Sequence, residues 1–100
     1  MVKLRIAHAA RDDLRQIRIY SKSAFGAAAA LDYLNGIRAL FALIRDRPLA
    51  GGLEEDLGEG IRSFGYRSHR IYYRVYADEI TVVRILHHAR DILQALGRDT

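Results

Sequence analysis

The sequence predicts an α+β fold in the order β-α-α-β-β-β-α, in which a helical hairpin packs on a small, mainly antiparallel sheet. Two observations carry this prediction: long segments with helical periodicity fill the first half of the chain, and short segments rich in β-branched and aromatic residues fill the second. With 100 residues, half of them hydrophobic, residues 1–100 are expected to form a single domain.

The first half begins with a strand and continues into a helix. The segment VKLRIA, residues 2–7, alternates apolar and basic residues as a half-buried strand does. The apolar face of the next helix is predicted to comprise Ala10, Leu14, Ile17, Tyr20 and Ala24. Its opposite face is predicted to comprise Arg11, Asp12, Arg15, Arg18 and Lys22. Gly26 is expected to end this helix in a left-handed conformation.

A second, longer helix is predicted between Gly26 and Pro48, whose ring cannot continue a helix. Its buried stripe is predicted to comprise Ala30, Leu34, Ile37, Phe41 and Ile44. Because the break at Gly26 is short, the two helices should pack as an antiparallel hairpin.

The second half begins with a glycine-rich segment, residues 48–60, which is predicted to be a surface connection without regular structure. Three strands are predicted after it, at residues 61–67, 70–77 and 80–88, and they should form an antiparallel meander. A short helix is predicted at residues 91–96.

Composition favours a cytoplasmic protein with an acidic partner. The chain has no cysteine, which excludes disulfides and thiolate metal sites, and we expect no apolar run of the 18 or more residues that a membrane helix needs. The net charge is +4, although four acids cluster in the connection, at Glu54, Glu55, Asp56 and Glu59. This balance fits either an acidic partner or solubility alone.

The middle strand of the meander suggests a binding surface. Strand alternation places Arg70, Tyr72, Arg74 and Tyr76 on one face. Guanidinium and aromatic groups together suit a protein interface or single-stranded nucleic acid, and the alternative is a solvated outer face of the sheet.

Two adjacent histidines end the last strand. Alternation puts Arg84, Leu86 and His88 on one face and His87 on the other, so the two imidazoles should not converge on one metal ion. No metal site and no cofactor are expected. An imidazole beside Arg90 could serve as a general acid or base, although a histidine at a strand end is more often structural.

Three segments, together with the order of the elements, identify a resemblance. DLGEGIRSF at residues 56–64, RIYYRV at 70–75 and VVRILHHARD at 82–91 resemble the ParE toxins of the ParE/RelE superfamily, over nearly the whole chain. The resemblance implies a bacterial type II toxin-antitoxin toxin with a RelE/ParE-like fold. It also implies a ParD-like antitoxin partner, with DNA contact only through that antitoxin and no contact with a membrane.

RelE-like members of this superfamily are ribosome-dependent messenger RNA endonucleases. Arg70 and Arg90 match arginines of that pattern, but Ile61 and Ser63 stand where catalytic members carry lysines, and Leu96 stands where they carry a C-terminal tyrosine. As an endonuclease, the chain would have to rely on Arg70, His88 and Arg90. This activity is therefore the alternative interpretation.

ParE-like members are associated with inhibition of DNA gyrase by protein binding, without chemistry of their own. Inhibition by binding does not require the missing lysines and tyrosine, and we therefore predict this activity. The surface that contacts the target or the antitoxin is predicted to comprise Arg62, Arg70, Tyr72, Arg74, Arg84 and Arg90. A third interpretation is a nucleic-acid-binding module that uses the arginine-tyrosine face directly.

Overall fold

A computed structural model describes residues 2–88 of the chain. The elements are β1 (Lys3–Ile6), α1 (His8–Phe25), α2 (Ala27–Asp46), β2 (Gly52–Leu53), a 3₁₀ turn (Glu55–Leu57), β3 (Ile61–Tyr66), β4 (His69–Val75) and β5 (Glu79–His87). Arg90, Leu96 and the predicted helix at 91–96 lie outside the described residues.

The sheet has five strands in the order β1-β5-β4-β3-β2. β3, β4 and β5 form the predicted antiparallel meander, and β1 joins its edge in parallel with β5. Both helices lie between β1 and the rest of the sheet in sequence, and their apolar side chains share one core cluster with the strands. The predicted α+β architecture, a helical hairpin on a mainly antiparallel sheet, is confirmed.

The hairpin turns at Gly26, whose φ of 94° lies in the region that favours glycine. The buried residues of α2 are those predicted: Ala30, Leu34, Ile37, Phe41 and Ile44. The prediction for α1 was partly wrong, because its buried residues are Ala10, Asp13, Ile17 and Ser21. Tyr20 is 66% exposed and Ala24 is also exposed, since a polar residue, Asp13, occupies the stripe that faces the sheet.

The glycine-rich connection contains more structure than expected. A short edge strand forms here, in which Gly52 pairs with Ser63 and Leu53 pairs with Arg62. The amide of Glu54 donates to the Ile61 carbonyl. A 3₁₀ turn follows at Glu55–Leu57. The prediction of no regular structure was therefore wrong for these residues, because backbone pairing with β3 depends little on side-chain type.

Helix α2 also corrects the expectation about apolar runs. Ala27–Asp46 contains a window with mean hydropathy 1.4, so by length and composition it could cross a membrane. In the fold its buried stripe packs in the core cluster beside Ile17 of α1 and Ile71 and Tyr73 of β4. A core helix of a globular fold has the same composition, and we interpret α2 as one.

The two faces of the sheet differ in what covers them. Ile71, Tyr73, Ile80, Val82 and Ile85 belong to the core cluster beneath the helices. On the other face, which we call the outer face, Tyr72 and Leu86 form a smaller cluster with Leu57 and Val83. The β4–β5 register shifts between Tyr72 and Tyr73, and this irregularity breaks the strict alternation of β5.

Candidate partner-binding surface

The outer face carries a polar chain of three residues. Because Arg70 lies opposite Gly65, and Ser63 opposite Tyr72, the Arg70 and Ser63 side chains project on the same side of adjacent strands. The Arg70 guanidinium donates to the Ser63 hydroxyl at 3.0 Å, and this hydroxyl donates to the Glu54 carboxylate at 2.8 Å. Only the Ser63 hydroxyl links Arg70 to the Glu54 carboxylate, which would repel an anion bound at Arg70. A partner with hydrogen-bond donors of its own could instead bind Glu54.

Arg74 is the second arginine of this face, and it is half-buried. Its Nε is buried and has no hydrogen-bond partner among the described residues. The guanidinium lies close to Gly58, where an added Cβ would sit 2.9 Å from an Arg74 nitrogen. A buried N–H without a partner is costly, and only the accessible part of the half-buried Arg74 guanidinium is open to an acceptor from a bound partner.

Tyr72 was predicted to lie on the exposed arginine-tyrosine face, but it is only 8% exposed. It packs against Leu86 in the outer-face cluster. Burial raises the pKa of Tyr72, and the nearby Arg70 opposes that rise. Tyr72 is therefore packed within this face, whereas Tyr76, the residue after β4, is 49% exposed.

Arg62 holds the connection in place. Its guanidinium donates to the carbonyls of Gly51, at 2.8 Å, and Leu49, at 3.4 Å. It lies opposite Tyr73, whose hydroxyl donates to the Pro48 carbonyl and accepts from the Gly51 amide, each at 2.8 Å. Arg62 and Tyr73 thus fix the start of the connection, and Arg62 is half-buried in doing so.

Arg84 lies in a buried ion pair. Its Nε and a terminal nitrogen donate to the two oxygens of Asp13 at 2.8 and 3.0 Å, and the Ile85 amide donates to the same carboxylate at 2.9 Å. The strand partner β1 ends opposite Val82, so Asp13 takes over the open edge of β5 beyond it. The register agrees with the prediction that Arg84 shares a face with Leu86, because they lie opposite Tyr72 and Arg70, but the Arg84 guanidinium is bonded to Asp13 of α1.

Three histidines meet at the other end of the strands. His69 lies opposite His87, with ring centroids 5.5 Å apart, and the His87 and His88 rings are 4.3 Å apart. Alternation had placed His87 and His88 on opposite faces, but their rings are neighbours because the strand ends at His87 and His88 belongs to a turn. Burial, then the neighbouring His87 and His88, lower the pKa of His69. Residues 2–88 contain no cluster of three His, Cys, Asp or Glu side chains that could hold a metal ion.

A groove that sequence reasoning did not identify lies beside these histidines, and we call it the aromatic groove. Its volume is about 680 Å³, and its lining includes Ile17, Tyr20, Phe25, Tyr33, Arg67 and His69. Tyr20 and Phe25 are 66% and 69% exposed and meet edge to face, with centroids 6.3 Å apart. In the sequence, the groove could have been suspected from Tyr20 and Phe25, two large aromatic residues in the last turns of α1 before Gly26.

The polar end of the aromatic groove is organised by Tyr33. Its hydroxyl lies 2.6 Å from Nδ1 of His69, and the Arg67 guanidinium stands 5.6 Å from its ring centroid. Arg67 also lies 3.8 Å from Asp32. The groove thus has an apolar, aromatic wall and one hydrogen-bonding end, as sites for amphipathic segments do.

Comparisons with known proteins agree with this fold. A family model described as the ParE toxin of the type II toxin-antitoxin system parDE matches residues 4–92. Toxin ParE3 of Caulobacter vibrioides is 28% identical over 75 residues, which are 75% of each chain.

Among solved structures, the chromosomal ParDE toxin-antitoxin system of P. aeruginosa superposes with a TM-score of 0.75 at 21% identity, over 87% of this chain and 96% of that one. The RelBE2 toxin-antitoxin complex of Mycobacterium tuberculosis superposes with a TM-score of 0.55 at 24% identity, over 87% of this chain and 98% of that one.

Proposed function

The chain belongs to the ParE toxin family of type II toxin-antitoxin systems, and on this premise we propose that it inhibits DNA gyrase by protein binding and is neutralised by a ParD-like antitoxin. The proposal includes a cytoplasmic location and no catalytic step by the toxin. It treats the outer face of the sheet as the surface for the target and the aromatic groove as part of the surface for the antitoxin.

The observation that carries the proposal is the Arg70–Ser63–Glu54 chain. A ribonuclease needs positive charge gathered around a scissile phosphate, but here the Arg70 guanidinium donates to Ser63, whose hydroxyl donates to the Glu54 carboxylate, so an acid shares this surface. Ile61, where RelE-like enzymes carry a lysine, is buried at 3% exposure and offers no charge. A mixed acid-and-base surface favours recognition of a protein.

Arg74 supports the same interpretation. The side chain is half-buried on the outer face, and a carbonyl or carboxylate of a bound protein could accept from the accessible part of its guanidinium. Because an interface withdraws such a pair from water, the contact would be stronger there than on an open surface.

The antitoxin is expected in the aromatic groove because residues 2–88 leave its apolar wall uncovered. Phe25 and Tyr20 together expose two large aromatic side chains, which a partner's apolar side chains could bury. The superposed P. aeruginosa and M. tuberculosis structures are of a toxin-antitoxin system and a toxin-antitoxin complex. Coupled folding of an antitoxin segment along this groove would bury these rings.

The first experiment is a supercoiling assay with purified gyrase, run beside an in vitro translation reaction probed for cleavage of the message. We expect loss of supercoiling with intact message, and Arg70→Ala or Arg90→Ala should relieve the inhibition while Arg47→Ala, an exposed arginine at the end of α2, should not. Cleavage at codon positions with normal supercoiling would instead assign Arg70, His88 and Arg90 to ribonuclease chemistry. Intact message with normal supercoiling would remove gyrase as the target.

The antitoxin site is tested with a matched pair of exposed apolar residues on α1. Phe25→Asp, in the aromatic groove, should weaken antitoxin binding in a pull-down and leave gyrase inhibition intact. Ile19→Asp is the control, because Ile19 is 60% exposed but does not line the groove. Equal antitoxin binding by both variants would place the antitoxin elsewhere.

A further inference from the structure

A second groove on the helical hairpin differs from the aromatic groove in its chemistry. Four arginines, Arg11, Arg15 and Arg18 of α1 and Arg38 of α2, line a cleft of about 400 Å³, and Leu34 and Phe41 lie at its floor. We call it the arginine groove. All four arginines are exposed, and they lie on the hairpin, away from the outer face of the sheet.

The arginines of α1 form a straight row. Arg11, Arg15, Arg18 and Lys22 follow one another at intervals of four, three and four residues, which keeps them within about 60° of arc on the helix. At about 1.5 Å of rise per residue, the row is about 16 Å long. Arg38 adds a charge from α2 across the groove.

Most of these charges have no ion-pair partner among residues 2–88. Asp12 pairs with Arg15 at 2.8 Å, but Arg11, Arg18 and Arg38 form no ion pair with any residue in the range 2–88. The buried carboxylate of α1, Asp13, is turned to Arg84 and does not neutralise the row. The arginine groove therefore presents three uncompensated guanidinium groups.

The floor of the groove argues for a charged partner over an apolar one. Leu34 and Phe41 are already 9% and 8% exposed, so an apolar side chain entering here would bury little additional surface. What remains for a partner to contact is the row of guanidinium groups, which suit phosphate oxygens in geometry and charge.

We propose that the arginine groove binds the phosphate backbone of duplex DNA, independently of base sequence. A duplex carries one negative charge per about 1.7 Å of its axis with both strands counted, so a row about 16 Å long spans a stretch of duplex with about ten phosphates, about five on each strand. The contact comes from the toxin chain itself and not through the antitoxin, contrary to the expectation from sequence. It does not depend on gyrase being the target.

The test is fluorescence anisotropy of the full-length protein with short labelled duplexes of two unrelated sequences. Both should bind equally, and affinity should fall with salt between about 50 and 200 mM with a log–log slope near −2.7, as three phosphate contacts predict. Arg11→Gln/Arg18→Gln should reduce the slope to about −0.9 and weaken binding at least about tenfold. Arg11→Lys/Arg18→Lys should keep most of the affinity.

The matched control removes the same charge from the outer face, as Arg70→Gln/Arg74→Gln, and should leave duplex binding within about twofold. Circular dichroism establishes that each variant is folded. Greater loss from the outer-face variant, or equal loss from both, would overturn the assignment to the hairpin. Binding of polyglutamate with no binding of duplex would also overturn it, by making the partner an acidic protein segment.

Discussion

The Asp13–Arg84 pair is the residue-scale feature on which the fold depends most. Asp13 is 8% and Arg84 7% exposed, and the carboxylate also accepts from the Ile85 amide. Asp13→Ala should lower the free energy of unfolding by about 3–5 kcal/mol, because it leaves a buried guanidinium without this counter-charge. Urea denaturation monitored by circular dichroism measures the loss.

Two further variants separate this effect from a general sensitivity of α1. Asp13→Leu/Arg84→Met removes both charges and should recover most of the loss, leaving about 1–3 kcal/mol for the unpaired Ile85 amide. Arg15→Ala breaks the exposed pair with Asp12 and should cost less than about 1 kcal/mol. If Asp13→Ala cost no more than Arg15→Ala, the buried pair would not stabilise the fold.

Gly36 of α2 is the second residue with a specific structural demand. A Cβ added there would overlap the Tyr66 side chain of β3, so this glycine lets Tyr66 pack against the helix. Gly36→Ala should destabilise the protein by about 1–3 kcal/mol despite the better helix propensity of alanine. The same change in a Tyr66→Ala background should stabilise it by up to about 1 kcal/mol. Thermal melts of the four proteins would show this reversal of sign, and its absence would refute the packing argument.

These residues also show why parts of the site could not be predicted from sequence. The five buried residues of α2 were predicted because all are apolar and repeat at one period. Asp13 was not, because a carboxylate is buried only when a partner is present, and Arg84 is 71 residues away in the chain. Because Asp13 was not predicted to face the sheet, Tyr20 was wrongly predicted to lie on the buried face of α1.

At the scale of elements, the glycine-rich connection is held by contacts from β3 and β4. The Tyr73 hydroxyl bonds both Pro48 and Gly51, and Gly51 is buried against it. Tyr73→Phe should therefore cost about 1–3 kcal/mol and remove protection of the Gly51 amide from hydrogen exchange. Tyr76→Phe, a change at an exposed tyrosine, is the control. Unchanged exchange at Gly51 would mean that Arg62 alone fixes the connection.

The register between strands decides which predicted site residues meet. Strict alternation placed Tyr72 outward, and the structure keeps that direction but covers the ring with Leu86 and Leu57. The shift at Tyr72/Tyr73 places Val83 as an extra residue in β5, and the end of β5 at His87 removes His88 from the alternation. Period-two patterns predict the face of a residue, but they do not predict what covers that face or where a bulge falls.

At the scale of the whole molecule, the sheet and the helical hairpin present three surfaces of different character. The outer face is mixed in charge, the aromatic groove is apolar with a polar end, and the arginine groove is cationic. A net charge of +4 therefore understates the local asymmetry of the chain. Separate surfaces would let target, antitoxin and DNA bind without competing for the same residues.

The histidine cluster links sheet and hairpin and should make the stability of the whole fold depend on pH. Burial, together with His87 and His88, lowers the pKa of His69 below 6.5, and Asp13 opposes this only as the smallest contribution. Between the folded and unfolded pKa values the unfolded chain binds a proton that the folded protein does not, so stability falls as pH decreases below about 6.5. In the protonated imidazole, Nδ1 carries a hydrogen and donates to the Tyr33 hydroxyl oxygen.

Urea midpoints measured between about pH 8 and pH 5 test this dependence. In the parent protein the midpoint should decrease as the pH falls below about 6.5, and His69→Gln should flatten that part of the profile because it removes the titrating imidazole. His8→Gln is the matched control, since His8 is 91% exposed and lies at the start of α1. The urea midpoint of the His8→Gln variant should depend on pH in the same way as that of the parent protein. If His8→Gln flattened the profile and His69→Gln did not, proton binding at His69 would not be what couples the hairpin to the sheet.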